Sequence, residues 1–300
     1  MTSQIRGVFC AAATPITEDG APDLVRAGMH AKQLIADGCD GVALLGTTGE
    51  ANSFSVKERQ QIVDAAVRAG IAPERLMPGT GLCAIPDTVE LTRHALSLGV
   101  NKFVMLPPFY YKQPSDDGLF AAYSAVIEKV ADPRLKIILY HIPQISMIPL
   151  GLPLIGRLIK RFPDTVVGIK DSSGDLTNSE SLVRTFPDFS VLVGADPTMR
   201  ALLAIGGAGC ITAASNLVAA DLATVFHHHA DPKRKAEVDA AQDRIVRTRA
   251  ISANFVQIPA VKAMLARRYK DASWLRVRAP LIALDAKQIA EVDRLMNEIA

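Results

Sequence analysis

The 300-residue chain is poor in cysteine and indole, with four cysteines and one tryptophan. Cys10, Cys39, Cys83 and Cys210 are widely scattered and form no CxxC pair, which argues against a structural zinc site. Each lies in or beside an apolar segment. All four therefore read as small core residues of a protein in a reducing compartment. An excess of one charge is also lacking: 33 basic and 31 acidic side chains leave +2. That balance gives no electrostatic case for nucleic acid or an anionic membrane. Neither an HExxH pair nor an EF-hand loop occurs. His227, His228 and His229 are consecutive; on a helix they point about 100° apart and cannot share one ion. A metal-dependent mechanism therefore has little support. A long unbroken apolar run is missing too. The longest apolar region, 137–159, is punctuated by Pro143, Pro149 and Pro153 and carries His141 and Gln144, so it is no membrane span. GVFCAAA, after Arg6, is seven residues long and is ended by Thr14-Pro15. It reads as a first buried strand rather than a secretory leader, and the cytoplasm is the expected location.

What is present is a rhythm. Short apolar runs occur at 7–12, 41–46, 75–79, 102–107, 136–142, 166–170, 189–194 and 209–212. Between them lie patterns of helical period near 22–37, 55–69, 86–98, 115–130, 150–162, 176–186, 197–205 and 216–229. Runs that are continuously apolar, rather than alternating, suit strands covered on both faces. Eight strand–helix units over residues 1–230 match an α/β fold of the (β/α)8 TIM-barrel type. A doubly wound open sheet is the alternative, and the closed barrel is favoured because every run is followed by a helix. Residues 231–300 change texture: 232–250, 254–269 and 285–299 look helical with no strand between. They read as a small C-terminal helical extension packed on the barrel.

In such a barrel the chemistry comes from the C-terminal ends of strands and the loops after them. Lys170 ends the run VVGIK (166–170). Desolvation there favours the neutral amine, and a nucleophilic lysine is tuned to a pKa of roughly 7–8. A neutral amine attacks a ketone to form a Schiff base. An isolated strand-end lysine more often bends to water or pairs with its neighbour, here Asp171. Tyr140, in YHIP at the end of the adjacent run, adds a phenol able to move the protons that imine formation requires. In GTTGE (46–50), glycines flanking Thr47 and Thr48 let backbone N–H groups approach a carboxylate. GGAG (206–209) is read as close helix–strand packing rather than a phosphate cradle.

Taken in order, GTTGE, PPFYYKQPSDDGL (107–119), YHIP (140–143), GIKDSSGD (168–175) and GADP (194–197) resemble the dihydrodipicolinate synthase/N-acetylneuraminate lyase family of class I aldolases. The resemblance runs from about residue 6 to the C-terminus. It implies that Lys170 captures pyruvate, or a 2-keto acid that yields it, and that Tyr140 shuttles protons at the imine. It implies that Thr47 and Thr48 hold the carboxylate and the proton relay. Tyr111 would enter a neighbouring subunit's relay, Ile211 would offer a backbone contact, and the assembly would be a homotetramer. The partners implied are a 2-keto acid and an aldehyde, with no metal or organic cofactor required.

The departures bear on the substrate. Ile145 stands where the synthases carry an arginine for their second substrate's carboxylate, which speaks against synthase activity. Val56, Arg59, Cys83 and Asp87 stand where those enzymes build a lysine-feedback site, so no lysine inhibition is expected. Asp196 is retained as a substrate contact, but Pro197 and Ala213 replace residues with which sialic acid lyases grip a polyol. An aldolase or lyase acting on another 2-keto acid, such as a 2-keto-3-deoxy sugar acid, is the leading reading. Condensation of pyruvate with aspartate semialdehyde is the runner-up. A non-catalytic keto-acid-binding barrel is the alternative of another class, and a metal-dependent aldolase a third.

Overall fold

The structure, a computed structural model, describes residues 4–299. β1 (Gly7–Ala11) leads to α1 (Leu24–Ala36), and β2 (Gly41–Ala43) to α2 (Val56–Arg68) and α3 (Ile85–Ser97). β3 (Lys102–Met105) precedes α4 (Asp116–Val130). β4 (Lys136–His141) runs into the one-turn α5 (Pro143–Ser146) and then α6 (Leu152–Arg161). β5 (Val166–Asp171) precedes α7 (Leu176–Thr185), and β6 (Ser190–Val193) precedes α8 (Met199–Ala204). β7 (Gly209–Thr212) leads to α9 (Ser215–His228), after which α10 (Lys235–Ala253), α11 (Gln257–Tyr269) and α12 (Ala286–Ile299) complete the chain. Helix starts follow from side-chain caps. Asp23 accepts from the Arg26 N–H at 2.9 Å, and Ser55 with Glu58 forms a reciprocal capping box at α2.

All strand pairs are parallel, in the order β2-β1-β7-β6-β5-β4-β3. Seven strands form where eight were expected, because the run at 75–79 makes bridges instead of a ladder. Those bridges nevertheless close the ring. Met77 N–H donates to the Val42 carbonyl at 2.9 Å and Gly79 N–H to that of Leu44 at 2.8 Å. On the other side, Val104 N–H donates to the Pro78 carbonyl at 3.1 Å. Pro78 has no N–H to return, which interrupts a regular ladder. Glycine is required at 79, since a Cβ there would lie 2.3 Å from the Leu45 carbonyl oxygen. The result is a TIM barrel with one irregular stave.

Alternation along each strand divides the core in two. Phe9, Met77, Ile138, Tyr140, Leu192 and Ile211 fill the inside of the ring. Val8, Ile137, Leu139, Ile169 and Val191 face the helices. Burying each such side chain stabilises the fold by about 1.5–3 kcal/mol. The glycines of 206–209 do serve close packing: a Cβ on Gly207 would meet Leu202 Cγ at 2.1 Å.

Cys10, Cys39 and Cys210 are buried, but Cys83 is exposed, contrary to expectation. The Leu82-Cys83-Ala84 run is apolar, yet it lies past the irregular stave, in the loop that leads into α3.

The last helices pack over the mouth. Ala13, Ala213, Val261, Leu265 and Trp274 share one apolar cluster that joins α11 to the ends of β1 and β7. His30 of α1 sits edge-on to Trp274, with its Nδ1 2.9 Å from the Tyr269 hydroxyl and Nε2 2.9 Å from Asn216 Oδ1. Asn216 Nδ2 donates to the carbonyls of Ala11 and Ala213, which leaves its Oδ1 as acceptor and places the proton on His30 Nε2. Burial pushes the His30 pKa down to about 4.

Candidate active site

Strand pleating decides which way each residue of VVGIKD points. Lys170 aligns with Tyr140 across the β4–β5 pair, and both project inward at the C-terminal end of the ring. Lys170 is only 5% exposed, and its Nζ lies 4.2 Å from the centroid of the Tyr140 ring. The neighbouring carboxylate is turned to the other face. Asp171 accepts from Ser179 Oγ at 2.7 Å and Asn178 Nδ2 at 2.9 Å, and from the Ser173 N–H at 3.0 Å. It therefore anchors the start of α7 instead of pairing with Lys170. His141, also outward, accepts from the Leu150 N–H through Nδ1, and burial holds its pKa below the usual histidine range.

The Tyr140 hydroxyl lies 3.2 Å from Thr47 Oγ1, so the phenol and the β2 turn share a hydrogen bond. That turn is tightly wound: Leu45 and Glu50 both adopt left-handed backbone, and Thr14 Oγ1 donates to the Gly49 carbonyl at 2.8 Å. Glu50 is buried behind it. Its carboxylate contacts Lys262 Nζ and accepts from the Arg278 N–H at 2.9 Å, while Lys262 donates to the Arg276 carbonyl at 2.7 Å. Burial holds the Lys262 pKa below the ordinary lysine range, with the Glu50 charge opposing that shift. The threonine turn is thus braced by α11 and the segment after it. Nothing in the sequence near Lys262 signals this, because the pair is joined only by tertiary packing.

Six of the eight expected site residues line one cavity of about 210 Å³: Thr47, Thr48, Tyr140, Ile145, Lys170 and Ile211. Two lie elsewhere. Tyr111, in the loop after β3, is 80% exposed and packs edge-on against Tyr110. Asp196 is 1% exposed beneath the mouth, where Oδ1 accepts from the Ala214 N–H at 3.2 Å. Burial raises the Asp196 pKa. The cavity also takes residues that the sequence did not suggest: Arg249 of α10, and Gln257 and Ile258 at the start of α11. Among the described residues, no group of three or more His, Cys, Asp or Glu side chains is placed to hold a metal ion.

The arrangement offers a buried amine above an aromatic face, a phenol bonded to a threonine, and a turn of backbone amides, all opening on one hollow. Groups of these kinds can condense an amine with a carbonyl. Comparison with known proteins gives the family. The profile of the dihydrodipicolinate synthetase family matches residues 4–299. The chain belongs to that family. It is an enzyme, a lyase of the family's aldolase type. A DapA-like lyase of Chloroflexus aurantiacus is 35% identical over 290 residues, covering 95% of this chain and 94% of the relative. The crystal structure of dihydrodipicolinate synthase from Agrobacterium tumefaciens str. C58 superposes with a TM-score of 0.87 at 33% identity, covering 98% and 99% of the two chains. A prophage protein of the dihydrodipicolinic acid synthase family from E. coli K12, solved with pyruvate, gives a TM-score of 0.90 at 23% identity, covering 98% of each chain. At that identity it speaks for the barrel alone. Within the family's frame, the Ile145 side chain at the rim is 59% exposed and apolar.

Proposed function

We propose that the protein forms or cleaves a carbon–carbon bond of a 2-keto acid through a Schiff base at Lys170, with pyruvate as substrate or product. The observation that carries this reading is Lys170 Nζ, unpaired with Asp171, set over Tyr140, whose hydroxyl meets Thr47 at the floor of the cavity. The neutral amine adds to the keto carbon. Tyr140 supplies a proton to the departing hydroxyl as the carbinolamine loses water, and Thr47 and Thr48 receive the keto acid's carboxylate. The iminium then draws electrons from the adjacent carbon, so that an enamine forms or an aldol bond breaks. These steps are carried by amino-acid side chains. Tyr111 is read as reaching a neighbouring subunit's Tyr140–Thr47 pair in a homotetramer. Supporting this, Tyr110, Tyr111 and Met147 are exposed, and Lys112 Nζ donates to the Ser146 carbonyl at 3.1 Å, tying the two loops together. The same reading sets the boundary of the catalytic barrel near residue 230, with the extension completing the mouth.

Incubation with pyruvate and borohydride tests the reading, with the adduct located by mass spectrometry. A reduced adduct on Lys170 is expected; its absence overturns the mechanism. Activity should survive a chelator. A second reading, condensation of pyruvate with aspartate semialdehyde, is favoured by the name of the Agrobacterium structure. Ile145 weighs against it. Assay of the semialdehyde beside a panel of 2-keto-3-deoxy acids separates the two, and rapid use of the semialdehyde would establish the second. Lysine is expected not to inhibit, since Arg59 is buried and bonded to Phe54 and Asn52 where the feedback site would need a histidine. No helix of the described residues is long and apolar enough to cross a membrane. Four free thiols suit a reducing compartment, and the cytoplasm is proposed on that ground.

A further inference from the structure

Among the described residues, the titratable side chains lining the cavity are Tyr140, Lys170 and Arg249, with no carboxylate. Arg249 comes from α10, which is seated over the turn after β6. Gln242 Nε2 donates to the Pro197 carbonyl at 3.2 Å, and Arg200 Nη1 to Asp239 Oδ1 at 2.6 Å. The guanidinium therefore reaches the mouth from the β6–β7 side, with β1 between it and the Thr47–Thr48 turn. Its own hydrogen bonds are few. Nη1 donates to Ser252 Oγ at 3.1 Å. Nε stands 3.9 Å from Asp196 Oδ2, too far for a hydrogen bond, so the buried carboxylate steadies the charge without using a donor. Nη2 has no protein acceptor among the described residues, and the side chain is 30% exposed.

A planar, permanently charged fork with spare donors is suited to a carboxylate. The turn at Thr47–Thr48 already serves the carboxylate next to the keto group. We propose that Arg249 is the specificity-determining cation of this mouth and that the substrate carries a second carboxylate, at its far end, which the Arg249 guanidinium receives. This rests on the Schiff-base reading at Lys170. It places the charge that Ile145 lacks on a different element, a helix beyond the barrel. The competing explanation is that Arg249 only offsets the buried Asp196. That role is indifferent to the charge of the ligand, so ligand charge discriminates the two.

The test measures borohydride-trapped occupancy of Lys170 against concentration for 2-ketoglutarate, 2-ketoadipate and 2-ketopimelate and their ω-methyl esters, with pyruvate as reference. For the acid of fitting length, half-saturation should come at a concentration roughly 10- to 150-fold lower than for its ester, the range for one charge-assisted hydrogen bond. In Arg249→Gln the ratio should fall toward one. Equal half-saturation of acid and ester at all three lengths overturns the proposal. So does a ratio unchanged in Arg249→Gln, or trapping of pyruvate with none of the longer acids. Failure to trap pyruvate sinks the Schiff-base reading itself and is thereby distinguishable. If Arg249→Gln does not fold, phenylglyoxal labelling of the wild-type enzyme gives the same information. Protection of Arg249 by the diacid and not by its ester supports the proposal, and equal protection overturns it.

Discussion

Two lysines end inside this protein. Lys262, on α11, is wholly excluded from solvent, with the Glu50 carboxylate against its ammonium and the Arg276 carbonyl accepting a hydrogen bond. Lys170, on β5, is nearly as buried, yet its neighbouring acid faces away, and its amine has an aromatic ring and a hollow before it. Desolvation pushes the Lys262 pKa down. At Lys262 a fixed opposite charge compensates, and the group becomes a brace that breaks badly when one half is removed. At Lys170 no such charge is supplied, and the amine is left available for a carbonyl. The position of one carboxylate separates a paired buried lysine from an unpaired one.

The contrast can be broken at either lysine. Lys170→Ala removes the proposed nucleophile; kcat should fall by about 10⁴-fold or more with a urea midpoint no lower than wild type. Tyr140→Phe keeps the ring beneath the amine and deletes the proton carrier, so kcat should fall about 10²- to 10⁴-fold while pyruvate is still trapped. Lys262→Met leaves Glu50 buried and uncompensated; unfolding free energy should drop by about 3–5 kcal/mol, and Lys262→Met/Glu50→Gln should recover most of it. A smaller effect tests a third way of burying a base. His30 titrates at about 4 in the folded protein against an ordinary 6.5. The unfolded chain therefore binds more protons between those values. Stability from this site is complete above about pH 6.5 and is lost as pH falls toward 4, by about 3 kcal/mol. Denaturant titrations at pH 7, 5.5 and 4.5 should show that slope, and His30→Gln should flatten it.

Much of this was legible in the chain itself. Buried parallel strands demand continuous apolar runs, so seven strands and their helices fell close to where those runs and periods put them. Lys170, Tyr140 and Thr47 were legible because a barrel gathers its strand ends at one mouth. The rest depended on tertiary contact. The stave at 75–79 has a strand's composition, but Pro78 withholds the donor a ladder needs. Cys83 shares the apolarity of its neighbours without lying on the ring. Asp196, expected as a substrate contact, lies beneath the mouth, where its carboxylate accepts from the Ala214 N–H. Arg249, Gln257 and the Glu50–Lys262 pair carry no local signature, since only the folding back of α10 and α11 brings them to the cavity.

Lys170 and Asp171 are sequence neighbours on opposite faces of one strand. The wall of the barrel keeps apart an amine and an acid that the chain joins by a single peptide bond. One residue gained or lost within 166–169 would exchange their faces and put the carboxylate in the hollow. The length of β5 is therefore under the same restriction as the lysine itself. The parity of that strand is fixed, and so is Gly168 within it, where a Cβ would lie 2.7 Å from the Ser190 carbonyl oxygen.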